Sequence, residues 1–201
     1  MHMVALSFEL VEQLSHVAND AREGFEAGVW AVNEALKLHT AFGDTNSPRS
    51  ALIRSIVVRE FRAAAERCGL YARTGNGGAV ELYEANGNEV AVIRLRSAAE
   101  VDGQMRVIAN SGSSWNGLSD DGLWRESRYV FGFVVDDHDS IDFFVAEVIG
   151  ETNAAVAHLE FGWMHRFSAP PTGGNLSFTP DEGDSLDGWD ISDEDNIANE
   201  A

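Results

Sequence analysis

The spacing of apolar residues changes once along this chain, near Tyr71, from steps of three and four to steps of two. That switch limits the fold more than any other feature, because the first period gathers side chains on one face of a helix and the second on one face of a strand. Leu10, Leu14, Val17, Ala21, Phe25, Val29, Val32 and Leu36 predict an amphipathic helix from Ser7 to about His39. Ser7 supplies its N-cap, and Lys37 and His39 sit at its negative end. Gly24 and Gly28 weaken the pattern, and mark either a break or a close approach to another element. Gly43-Asp44-Thr45-Asn46 then interrupts it. Ser47 and Pro48 provide an N-cap and a first-turn proline for a second helix, which ends at Cys68 before a capping Gly69. Its stripe of Ile53, Ile56, Val57, Phe61, Ala64 and Cys68 makes Cys68 a small core residue, not a nucleophile.

Beyond Tyr71, alternating runs at Ala79 to Ala85 and Glu89 to Ser97 flank Asn86-Gly87-Asn88, a strong hairpin signal. Met105 to Ala109 gives another strand after an Asp102-Gly103 turn, and Tyr129 to Val135, Ile141 to Ile149 and His158 to Phe167 give three more. Helices followed by strands predict an α+β fold, two N-terminal helices packed on one face of an antiparallel sheet of about five or six strands. A single domain over residues 1–167 follows, then a Pro/Gly linker at 168–174. Residues 175–201 hold nine acids and no base, with too few apolar groups to repay ordering, and are expected to be a disordered acidic tail.

The second-helix segment Arg49 to Gly69, the strand Val92-Ile93-Arg94-Leu95-Arg96, and the paired runs Tyr129 to Asp137 and Asp142 to Val148 resemble a poorly characterised family. Its members are carried by mobile elements and prophages of GC-rich bacteria, near helix-turn-helix regulators and zincin-type peptidases. The resemblance covers about residues 45 to 150 and contains no catalytic motif. It implies a phage-control or host-defence setting and assigns no functional residue.

Charge and composition narrow the chemistry. Against 33 Asp and Glu stand 14 Lys and Arg, a net charge of -19, which disfavours nucleic acid as a ligand. With one cysteine, an internal disulfide and a four-thiolate zinc site are excluded. No apolar run is long enough for a membrane span, so a cytoplasmic protein with no membrane contact is expected. Lys37 is the sole lysine, so Schiff-base or Walker-type chemistry would have to use a residue already explained by a helix end.

The densest set of potential metal ligands is Asp136, Asp137 and His138, with Glu147 on the following strand. A polar sequence between two apolar strands is equally what a solvated hairpin turn looks like, so no metal and no cofactor are assigned. Gly75-Asn76-Gly77-Gly78 lacks the helix and Lys-Ser/Thr ending of a phosphate loop, and Ser111, Ser113 and Ser114 lack the nucleophile-elbow spacing. His158 and His165 flank an apolar strand and are expected to be structural. No catalytic residue is identified.

Arg94 and Arg96 point the same way from one strand, with Arg106 beside them if the next strand pairs alongside. Such a group can grip carboxylate or phosphate. Together with Trp115 and Trp124 in a long polar loop and Trp189 in the tail, these are the candidate partner contacts. A non-enzymatic protein-binding or regulatory module is the expected function. A nucleic-acid mimic that blocks a DNA- or RNA-binding protein, and a metal-dependent hydrolase or nuclease on the Asp136 cluster, are the alternatives.

Overall fold

In a computed structural model, residues 6–42, 44–74, 80–86, 89–109, 125–154 and 156–168 are described. The chain divides into two units, Met1–Ala169 and Pro170–Ala201, and every described residue belongs to the first. The acidic tail lies outside the described residues, as does nearly all of the linker.

Helix α1 runs over Phe8–Gly28, and Ser7 caps it by accepting a hydrogen bond from the Leu10 N–H at 3.1 Å. Its buried stripe contains the expected Leu10, Leu14, Val17, Ala21 and Phe25, and also Arg22. The expected single helix is two: after Val29 the chain continues as α2, Trp30–Lys37. Gly24 marks a close approach, since a Cβ there would strike Glu60 of the next long helix. A 3-10 turn at Thr40–Phe42 leads to α3, Ser47–Arg67. The N-cap of α3 is Asn46, with no side-chain capping bond, while Ser47 is already helical; the expected cap is one residue late because Pro48 fits the first turn either way. Gly69 has φ +75 and its N–H reaches Glu66 O, while the Leu70 N–H reaches Ala65 O at 2.8 Å, so the helix closes as its sequence foretold.

Strands β1 (Ala72–Thr74), β2 (Val80–Asn86), β3 (Glu89–Ser97), β4 (Ala99–Val101), β5 (Gln104–Arg106), β6 (Arg125–Val135), β7 (Ile141–Glu151) and β8 (Leu159–Phe167) follow. Six of them form one sheet in the order β1-β2-β3-β6-β7-β8, and β4 and β5 form a separate hairpin. The sheet is mixed: β3 and β6 run parallel and every other neighbouring pair antiparallel. The segment between Ser97 and Arg125 returns the chain to the end where β3 began, and a connection of that length is what parallel pairing needs. Asp102 and Gly103, both at positive φ, turn the β4–β5 hairpin.

Leu82, Ile93, Leu95, Tyr129, Phe131, Phe133, Phe143 and Val145 face α1 and α3 in the main core. On the other face Met105 and Val107 pack with Val130, Phe144, Ala146 and Leu159. Each fully buried Phe or Leu contributes roughly 1.5–3 kcal/mol, so both layers hold the sheet. The second layer covers β6, β7 and β8. Strands β1, β2 and β3, together with Arg128 near the start of β6, carry the site.

Candidate functional site

Antiparallel register places Arg73 of β1 beside Glu81 of β2, and Glu81 beside Arg94 of β3. Leu82 and Ile93 enter the helix-side core, so alternation sends these charged neighbours to the opposite face. Glu81 is only 3% exposed. Its Oε1 accepts from Arg94 Nε at 2.6 Å and its Oε2 accepts from the Tyr83 hydroxyl, which in turn accepts from Arg73. The Arg73 guanidinium also lies 3.6 Å from the Tyr83 ring centroid. A buried carboxylate without partners costs several kcal/mol, and this ring of donors removes the penalty. Burial and the bond to Glu81 raise the Tyr83 phenol above its ordinary value, with Arg73 opposing.

Arg96 is two residues along β3 from Arg94 and pairs across the sheet with Gly132. The Phe144 ring occupies the space that a side chain at 132 would need. The Arg96 Nε is buried without a hydrogen-bond partner. Its guanidinium pKa is lowered, first by burial and then by repulsion from Arg94 and Arg54. Arg128 of β6 stands in register with Val92, on the same face as Arg94. Guanidinium groups offer forked donors that match carboxylate or phosphoryl oxygens, and on this face Arg94 holds the Glu81 carboxylate in that way.

Arg94 and Arg96 therefore share a face, as expected. Arg106 does not join them through strand pairing: it lies opposite Ala99 in the β4–β5 hairpin, because β6 and not β5 takes the place beside β3. Trp115, Trp124 and Trp189 lie outside the described residues, as do Gly75 to Gly78 and the serines at 111, 113 and 114. A hairpin loop of Asn86-Gly87-Asn88 would pair Ala85 with Glu89 and set Glu81 opposite Ile93; the observed register pairs Asn86 with Glu89, one residue along, and brings Glu81 opposite Arg94. Arg73 and Arg128 join through a three-residue strand and the parallel pairing, which no local pattern marks.

The acidic cluster is dispersed. Residues 136–140 form the turn between β6 and β7, where Asp136 Oδ1 accepts the backbone N–H of His138 and of Ser140, both at 2.8 Å. Glu147 pairs with Tyr129, six residues along β7 from Ile141, which is roughly 20 Å at the ordinary strand rise. Among the described residues no three His, Cys, Asp or Glu side chains are grouped as metal ligands. Asp139 of the turn binds elsewhere, accepting from Asn33 at 3.0 Å and from Arg49. The Asn33 bond, ahead of Arg49, holds its carboxyl below the usual aspartate range against the opposing effect of burial.

Cys68 is half-buried against the main core and its thiol is pushed up by burial, in keeping with a packing role. His165 stacks on Trp163, whereas His158 leaves its Nδ1 buried and unbonded. No helix among the described residues is long and apolar enough to cross a membrane. In comparisons with known proteins, no family model, no curated protein and no solved structure matches this chain.

Proposed function

We propose that this protein is a non-enzymatic binding module, regulatory in role, that holds an anionic segment of a partner protein on the arginine-bearing face of its sheet. The observation that carries the reading is the gathering of Arg73, Arg94, Arg96 and Arg128 on one face of a chain with net charge -19. Cations scattered for solubility would not converge on one side of adjacent strands. None of the four belongs to the apolar layer of Met105 and Val107. The overall negative charge repels long polyanions such as nucleic acid, while a short segment bearing one or two acids meets that repulsion only briefly. A phage-control setting, implied by the resemblance of residues 45 to 150, suits a binding role of this kind.

The test is fluorescence anisotropy of a labelled Glu-bearing peptide titrated with the full chain at low salt. Arg96→Gln and Arg73→Gln should each weaken binding about tenfold, the effect of one charge-assisted hydrogen bond. Arg59→Gln, on the exposed side of α3, should leave it unchanged. Equal loss from Arg59→Gln, or no binding by the full chain, would overturn the proposal.

A further inference from the structure

We infer that α2 and the 3-10 turn after it, residues 30–42, form an arm that opens from the folded body as a unit, held shut by a latch of Asn33, Arg49 and Asp139. Little apolar contact holds the arm. Val32 is the one buried residue of α2, Val29 and Leu36 are partly buried, and Trp30, Leu38 and Phe42 are exposed. By contrast, α1 buries seven residues and α3 buries five. Few buried apolar groups are what a segment of low local stability has. The joint is equally light. Val29 keeps helical φ and ψ of -63 and -27, but the Val32 N–H bonds to Val29 O, three residues back, at 3.0 Å, the tighter turn that interrupts an α-helix at a hinge. Gly28 precedes it and gains more backbone freedom on release than any other residue type would. No side chain caps the start of α2.

The latch joins three elements. Asn33 of α2 donates from Nδ2 to Asp139 Oδ2 at 3.0 Å and accepts from Nη1 of Arg49, on α3, at 3.2 Å. Arg49 Nη2 in turn donates to Asp139 Oδ1. Each residue bonds to both others, so the ring is closed. Asp139 supplies the third corner from the β6–β7 turn, at φ +64, a left-handed conformation uncommon outside glycine. Among the described residues, the other side-chain bond of α2 runs from Lys37 to Glu34 and stays within the helix. Loss of the ring therefore frees the arm where apolar contact is least. Eight residues are too few for a helix to persist alone in water, so α2 unwinds as it detaches and its amides exchange.

The experiment is amide hydrogen exchange of the full chain, read by NMR at a series of urea concentrations below the unfolding transition. The amides of Glu34 to Lys37 should share one opening that hardly changes with urea. Those of Val17 to Ala21 in α1 should exchange through an opening that grows steeply with it, since global unfolding exposes far more surface than release of the arm. Asn33→Ser removes the amide and keeps a similar helix propensity. It should speed exchange at Glu34 to Lys37 about tenfold, the effect of one hydrogen bond to a charged group, and Asp139→Asn should speed it about fivefold. Arg67→Gln breaks the pair with Asp20 that joins α1 and α3 whether the arm is closed or open, so it should leave those four amides unchanged. Exchange at Glu34 to Lys37 with the urea slope of Val17 to Ala21 would show that the arm opens only with the whole protein, and would overturn the inference. So would exchange there that neither Asn33→Ser nor Asp139→Asn alters, because the arm would then open without regard to the latch.

Discussion

A buried charge survives in this protein only where its neighbours meet its hydrogen-bonding needs, and Arg22 shows the rule. Although 95% buried by its 5% exposure, it donates from Nε to Ile141 O at 3.2 Å, from a terminal nitrogen to Phe167 O at 2.9 Å and from the other to Asn19 at 2.9 Å. It thereby ties α1 to the start of β7 and the end of β8 through two backbone carbonyls. Asp139 performs a similar task at the β6–β7 turn, joining Asn33 of α2 and Arg49 of α3. Its carboxyl pKa lies below the ordinary value when folded, so its stabilising effect is complete above the unfolded aspartate pKa and is lost as pH falls through the lower folded one. Asp139→Asn should cost about 1 kcal/mol at neutral pH, since the pair is partly solvated, and almost nothing once Asp139 is protonated well below pH of about 4. Asparagine tolerates the φ of +64 at this position, so the variant changes the charge and spares the turn. Urea unfolding of both proteins across acidic pH measures the convergence; a constant difference would show that the carboxylate's charge is not the stabilising feature.

At the level of elements, what the sequence made legible was whatever local chemistry decides. Ser7 and Gly69 fix helix ends through bonds to their own neighbours, and Asp102-Gly103 turns a hairpin through φ values that few residue pairs adopt. Alternation in Glu89 to Ser97 placed Arg94 and Arg96 on one side without any knowledge of the sheet. The position of β6 beside β3 was not legible, because parallel strands meet only after a long excursion whose path no short window contains. For that reason strand pairing does not bring Arg106 beside β3, and nothing local marks Arg128. The tail and the tryptophan candidates remain outside this comparison. Gly132 is a residue whose meaning appears only after the strands are assembled: the Phe144 ring of β7 lies where its Cβ would be. Gly132→Ala should push that ring out of the Met105–Val107 layer and cost about 1–3 kcal/mol, the usual effect of overpacking. A melting temperature equal to that of the unaltered chain would show that the ring moves aside freely and that the second layer is loosely packed.

Across the whole molecule, two electrostatic effects act in opposite directions with salt. Individual exposed pairs such as Lys37–Glu34 and Arg166–Glu100 each contribute only about 0–1 kcal/mol, whereas 33 acids against 14 bases leave a net self-repulsion. Screening should relieve more repulsion than attraction. Raising NaCl from about 20 to about 300 mM, which shortens the Debye length from about 20 Å to about 6 Å, should therefore raise the melting temperature by a few degrees. The arginine-bearing face should respond the other way, because its attraction for an anionic peptide is screened by the same ions. Stability and affinity measured along one salt series, by thermal unfolding and by anisotropy, should thus move apart. A melting temperature that falls with salt would mean that local pairs outweigh the net charge, and would remove the reason for treating the cations of this face as exceptional. Affinity that is flat with salt would place binding on apolar contacts, whatever the charge of the peptide. Opposite slopes are the signature of a short cationic face held within a repulsive field, an arrangement that admits compact anions and turns long ones away.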